Sequence, residues 1–186
     1  KPGTSAVELA RLTMREMIPF IDVVIANEED ADLALGIHAP QTDVESGELN
    51  VAGYEQVARQ IISEFPNVSR VAITLRESIS ASHNNWGAML LDASSGTAPF
   101  APLDSRGEYQ PYEIRNIVDR VGAGDSFAAG LIFAMTTPEL SEPETALQYA
   151  TAASCLKHSI KGDFSYAERP EIESLMAGAT SGRVSR

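Results

Sequence analysis

The run Val118-Asp119-Arg120-Val121-Gly122-Ala123-Gly124-Asp125-Ser126-Phe127 holds the residue types and spacing most suited to chemistry. Two glycines flanking a small alanine let the backbone approach a ligand closely, and a helical pattern begins directly afterwards. The amides of Gly122, Ala123, Gly124 and Asp125 then precede the helical ladder and share the positive end of its dipole. Such a turn binds an anion without Lys or Arg. An acid inside that turn disfavours phosphate unless it has a task. Two readings of Asp125 stand. It accepts a hydroxyl proton while the amides hold a developing phosphoryl charge, or it only complements the helix N-terminus.

The elements that must carry this turn can be read from hydrophobic periodicity. Thr4 to Phe20 shows helical spacing, opened by a Ser5/Glu8 capping box and stopped at Pro19. Ile21 to Ile25 reads as a strand buried on both faces. Asn27 to Leu35 reads as a helix ending at Gly36, and His38 to Gly53 as a polar surface loop. Tyr54 to Phe65 is an amphipathic helix, and Val71 to Leu75 is a second buried strand. Ser78 to Ser82 and Trp86 to Leu91 read as strands joined by a His83-Asn84-Asn85 turn. Ala93 to Pro111 is rich in Ser, Gly and Pro, and Tyr112 to Val118 is one more weak strand. Ser126 to Met135 and Glu142 to His158 are helices, the latter opened by Ser141 and Glu144. Ile172 to Met176 is a last short helix before a frayed tail from Gly182 to Arg186. The alternation predicts an α/β fold, a mainly parallel sheet with an antiparallel edge, formed by residues 1–186 as one domain.

Composition narrows the partners. Among 186 residues, 26 acids against 14 bases give a net charge of −12. That field repels nucleic acid and anionic lipid, so neither is expected as a partner. The single cysteine, Cys155, excludes an internal disulfide, fits a reducing, cytoplasmic compartment and reads as a buried thiol rather than a nucleophile. No signal peptide or membrane span is visible. His38 and His83 fall in polar stretches, and no His/Cys/Asp cluster has metal-ligand spacing.

Asp119-Arg-Val-Gly-Ala-Gly-Asp-Ser-Phe-Ala-Ala-Gly130 resembles the C-terminal signature of the ribokinase-like (PfkB) carbohydrate kinases. The resemblance implies a three-layer αβα ribokinase-like sandwich. It also implies an anion hole at Gly122, Ala123 and Gly124, and a catalytic base at Asp125. That base deprotonates a sugar hydroxyl for in-line attack on the γ-phosphate of ATP, with Mg²⁺ offsetting charge. Arg120 stands where the family commonly has Thr.

Asn27-Glu28-Glu29-Asp30 resembles the family's Asn-x-x-Glu motif, which arranges Mg²⁺ and phosphate through water. Here Asp30 is one methylene shorter, and Glu29 is a substitute for it. The same residues equally fit a helix cap, with Asn27 at the N-cap and Asp30 three positions on. Ile73-Thr74-Leu75-Arg76-Glu77 lies at a strand end where the family binds nucleotide phosphates, so Thr74 and Arg76 become nucleotide-binding candidates. Arg76 reads equally as a solvated charge beside Glu77. The stretch Leu156-Lys-His-Ser-Ile-Lys-Gly-Asp-Phe164 resembles 2-keto-3-deoxygluconate kinases in particular. By the same likeness, Ala153, His158 and Gly162 are candidates for the adenine pocket, although His158 also suits a helix C-terminus.

The expected activity is phosphorylation of 2-keto-3-deoxygluconate to its 6-phosphate. The alternatives are a kinase of ribose, fructose or a nucleoside, or a non-catalytic nucleotide-binding fragment. The resemblance also allows a monovalent cation near Asp119 and pairing into a homo-oligomer. It covers about Val7 to Phe164. Nothing here corresponds to the family's N-terminal strands, sugar-binding residues and β lid, so the chain is expected to be a C-terminal portion.

Overall fold

The computed structural model describes residues 3–38 and 51–178. The expected surface loop therefore lies almost wholly outside the described residues, as does the tail from Gly182. In order, the elements are α1 (Ala6–Met17), β1 (Val23–Ala26), α2 (Glu28–Asp30), which widens into a π-helical stretch (Ala31–Leu35), and α3 (Val51–Glu64). Then come β2 (Arg70–Ser80), β3 (His83–Asp92), β4 (Phe100–Ala101), β5 (Tyr112–Ile114), α4 (Ala123–Thr136), α5 (Pro143–Lys157) and α6 (Arg169–Met176). The strand order is β1-β2-β3-β4, with β5 also pairing with β3. The sheet is mixed. β1 runs parallel to β2, with Val23 opposite Arg70 and Ala26 opposite Ile73. β5 runs antiparallel to β3, with Trp86 opposite Tyr112.

The described chain divides into two compact units. One takes the residues up to Thr74 together with Met89–Ala98, and the other takes Leu75–Ala88 and the residues from Pro99 onward. In the first unit, Val57, Ala58 and Ile61 of α3 and Val71, Ala72 and Ile73 of β2 are buried. Fully burying each of the valines and isoleucines is worth about 1.5–3 kcal/mol. Helix α1 starts where expected, with Ser5 Oγ accepting from the Glu8 amide at 3.1 Å. Its apolar stripe is nevertheless exposed at Val7, Leu9, Leu12 and Met17. Two arginines attach it instead. Arg11 donates to the Leu33 and Asp32 carbonyls, and Arg15 donates to the Leu35 carbonyl at 2.9 Å. These bonds satisfy carbonyls at the end of the π-helical stretch, where a helix leaves acceptors unpaired. Gly36 ends that stretch at φ 71°.

In the second unit, α5 is buried at every position from Tyr149 to Lys157. It packs against α4, α6 and β4. A helix enclosed on all sides cannot show an amphipathic period, and α5 shows none. At Gly130 of α4, a Cβ would lie 3.1 Å from both Ala150 Cα and Ala153 Cβ, so the two helices meet almost backbone to backbone.

Several sequence expectations need correction. The strands expected at 71–75 and 78–82 are one strand, because Arg76 and Glu77 interrupt only the apolar pattern and not the ladder. The turn sits at Ala81-Ser82, and His83-Asn84-Asn85 begins β3. Asn84 is fully buried there, and Asn85 donates to Glu77 at 2.7 Å. β1 is not buried on both faces: it ends the strand order, and Ile25 is 36% exposed. Phe100–Ala101 is a strand inside the stretch read as irregular. Ser141 does not cap α5, since its hydroxyl turns back to the Pro138 carbonyl and Glu142 takes the N-cap position. Helix α6 begins three residues earlier than expected, because Glu168 and Glu171 form a reciprocal capping box.

At the edge of the first unit, Asp92 is a buried carboxylate whose charge is fully served. Burial alone would raise its pKa. Hydrogen bonds from Ser94, from Arg70 Nε at 2.8 Å and from the Ser94 and Ser95 amides outweigh that and hold it at about 2. A depressed acid contributes stability that is present above the unfolded value of 3.8 and is lost as the pH falls through about 2. Asp92→Asn is therefore expected to cost about 2 kcal/mol at neutral pH and progressively less towards pH 2, read by urea melts across that range.

Candidate anion-binding and catalytic site

The turn from Asp119 to Asp125 lies wholly in the second unit and is braced from below. Asp119 spends both carboxylate oxygens on backbone amides, accepting from Val121 at 3.1 Å and from Gly162 at 2.8 Å. These bonds, the Val121 amide first, push its pKa down. One carboxylate thus ties the start of the glycine-rich turn to the turn that follows α5. Three further bonds hold this turn. Val118 donates to the His158 carbonyl at 2.8 Å, and Arg120 donates to the Ser80 and Ala81 carbonyls at 3.0 and 2.9 Å. Arg120 thus pins the turn to the β2–β3 hairpin, a structural task for the position that departs from the resembled signature.

Gly122 can be nothing but glycine here. Its φ is 80°, and a Cβ would fall 2.1 Å from the Asp163 carbonyl oxygen. The left-handed residue turns the chain into α4, whose first ladder bond runs from the Ser126 amide to the Gly122 carbonyl at 2.9 Å. The amides of Gly124 and Asp125 therefore precede the ladder, at the positive end of a 14-residue helix. Both residues are exposed, while Ala123 is buried. Ser154 Oγ holds the Ala123 carbonyl at 2.7 Å, and Ser126 Oγ holds the Ala153 carbonyl at 3.2 Å, so α5 fixes the first turn of α4 from behind.

The remaining candidates are placed as follows. Ala153 is 4% exposed and packs in the α4–α5 interface rather than facing solvent. His158 is buried, with Nδ1 2.8 Å from the Ser154 carbonyl, so that nitrogen carries the proton, and its ring lies 5.0 Å from Trp86 in an edge-on contact. Burial, ahead of repulsion from Lys157, Arg120 and Arg76, pushes its pKa below 6.5. Gly162 is exposed, with its amide on Asp119. Arg76, on β2, is exposed and acts electrostatically on His158. The structure thus brings Gly122, Ala123, Gly124, Asp125, Ala153, His158 and Gly162 together around the α4 N-terminus and the α5 C-terminus.

Asn27, Asp30 and Thr74 belong to the first unit. Asn27 and Asp30 form a complete reciprocal cap: the Asp30 amide donates to Asn27 Oδ1 at 2.9 Å, and the Asn27 amide donates to Asp30 Oδ2 at 3.0 Å. Among the described residues, no group of three or more His, Cys, Asp or Glu side chains is placed to hold a metal ion. Nor is any helix there long and apolar enough to cross a membrane. Cys155 is buried, and that burial pushes its thiol up to about 12, which leaves it protonated and unreactive. Sequence reasoning missed Asp119 as a brace and Lys157 as a buried charge. Asp119 had a visible signal in the Asp-x-x-Gly spacing, whereas Lys157 has the sequence context of a solvated helix end.

Known proteins resemble this chain. The model of the pfkB family carbohydrate kinases matches residues 2–165. The crystal structure of a 2-dehydro-3-deoxygluconokinase from Thermotoga maritima superposes with a TM-score of 0.76 at 39% identity, covering 92% of this chain and 46% of that one. A PfkB carbohydrate kinase from Listeria grayi superposes at 0.72 with 27% identity, over 93% and 46% of the two chains. A 2-dehydro-3-deoxygalactonokinase from Haloferax volcanii is 32% identical over 73 residues, which are 39% of this chain and 22% of that protein. The chain thus spans under half the length of these relatives. The likeness bears out the expected three-layer α/β ribokinase-like fold. The chain belongs to the pfkB family of carbohydrate kinases.

Proposed function

We propose that this chain carries the phosphoryl-transfer site of an ATP-dependent kinase acting on 2-keto-3-deoxygluconate. The observation that carries the reading is Asp125, an exposed carboxylate in the first turn of α4, directly behind a left-handed glycine whose turn aims amides outwards. A helix N-terminus built only for stability needs no such glycine-only entry, whereas a close approach of backbone amides to an anion does. The sugar acid is supported by 39% identity to a 2-dehydro-3-deoxygluconokinase.

In this reading Asp125 accepts the proton of the 6-hydroxyl as the oxygen attacks the γ-phosphorus of ATP and the bond to the ADP oxygen breaks. The amides around Gly122 to Gly124 stabilise the charge on the transferring group. Asn27 and Asp30 already spend oxygens on capping α2. Mg²⁺ is therefore assigned to the nucleotide phosphates, with protein contact through water, as suits an ion that keeps its hydration shell. When bound, it neutralises phosphate charge. Thr74 and Arg76 are assigned to the nucleotide side, and with a net charge of −12 such local donors must overcome an unfavourable field.

The second reading, a nucleotide-binding fragment without turnover, is favoured by one observation: the chain spans 46% of the Thermotoga maritima structure. Assaying ATP-dependent phosphorylation of 2-keto-3-deoxygluconate beside ATP binding separates the two, since binding without turnover selects the fragment. In a form that turns over, Asp125→Asn is expected to lower kcat by roughly 10²–10⁴ while leaving ATP affinity within about twofold. Turnover near that of the unaltered protein would remove Asp125 as base. Gly122→Ala drives a methyl into the Asp163 carbonyl. It is expected to abolish ATP binding measured by calorimetry and to lower the melting temperature, whereas Gly124→Ala, which meets nothing within 4 Å, is expected to leave the fold intact.

A further inference from the structure

Lys157 closes α5 and is fully buried. An isolated buried ammonium costs several kcal/mol, and a single carbonyl bond does not offset that. Among the described residues its Nζ donates to the Ile160 carbonyl at 3.1 Å. Its field reaches Asp119, whose acidity it increases, and His158, whose protonation it opposes. Lys157 thus sits at the foot of the turn whose Gly162 amide binds Asp119 and whose Asp163 carbonyl lies against Gly122. A side chain enclosed there is screened less by solvent ions than one at the surface.

Each Asp119 oxygen already accepts from one amide, of Val121 or of Gly162, and Lys157 acts electrostatically on the same carboxylate, so a monovalent cation near Asp119 would compete with partners already in place. We propose that Lys157 is the built-in cation of the anion-binding turn. It is a positioning residue that holds the Ile160–Asp163 turn under Gly122 and supplies the positive field that a dissociable ion would otherwise provide. Phosphate binding here accordingly needs no potassium. The inference rests on the assignment of the Gly122–Asp125 turn as the phosphate site.

The test titrates the 186-residue chain with inorganic tripolyphosphate by calorimetry, in tetramethylammonium buffer with and without potassium chloride. The unaltered chain is expected to bind equally, within about twofold, in both. Lys157→Met is expected to lose about tenfold in affinity, or about 1.4 kcal/mol. Lys157→Ala, which leaves room for a small cation, is expected to lose as much and to recover when ethylammonium is added. Lys157→Arg, which keeps the charge, is expected to bind more tightly than Lys157→Met. Potassium-dependent binding by the unaltered chain overturns the proposal even where no variant folds. Unchanged binding by a folded Lys157→Met overturns it too, as does a folded Lys157→Ala that ethylammonium does not restore. Failure of the unaltered chain to bind tripolyphosphate in either buffer overturns the phosphate-site assignment itself.

Discussion

A single carboxylate, Asp119, holds two turns against each other, and the arrangement of the site follows from that contact. The turn after α5 contributes the Gly162 amide, and the turn before α4 contributes the Val121 amide. With both oxygens occupied, the backbones come close enough that only a glycine fits at position 122. The left-handed bend there directs the next amides outwards, and the helix behind them concentrates a partial positive charge. The order of dependence is thus electrostatic first, steric second and conformational third. Replacing the carboxylate would release two amides at once and remove the reason for the bend.

How far the molecule was legible in its sequence depended on the range of the interactions involved. Local chemistry could be read: Ser5 caps α1, Asn27 and Asp30 cap α2, Gly36 ends its helical stretch, and the Gly122–Asp125 turn opens α4. Each uses partners within a few residues. Non-local context decided the rest. His83-Asn84-Asn85 has the composition of a turn, yet these residues continue a strand because Asn85 finds Glu77 and β5 pairs alongside. Ser141 and Glu144 satisfy the capping pattern, but the Ser141 hydroxyl prefers a carbonyl behind it. The burial of Lys157 could not be seen, because a lysine at a helix end reads as solvated until its surroundings are known.

The chain's negative charge takes on a different meaning once the buried polar groups are placed. Many of its arginines are engaged in structural contacts: Arg11 and Arg15 on helix-end carbonyls, Arg70 on Asp92, Arg120 on the hairpin and Arg169 on Glu139 and Glu173. Arginine serves such contacts well because its planar fork satisfies several acceptors at once. The basic side chains so engaged hold the architecture, which leaves few of them free to meet an anionic ligand.

The contact of Gly130 with Ala150 and Ala153 has a mechanical consequence. Where only methyl groups stand between two helices, there is little compliant layer to absorb sliding or rotation. α4 begins at the outward-facing amides and Asp125, and α5 ends at the Lys157–Asp163 turn. A push on either end is therefore transmitted to the other as the displacement of one stiff body. Any adjustment as a ligand arrives or leaves must come from the loops outside this pair.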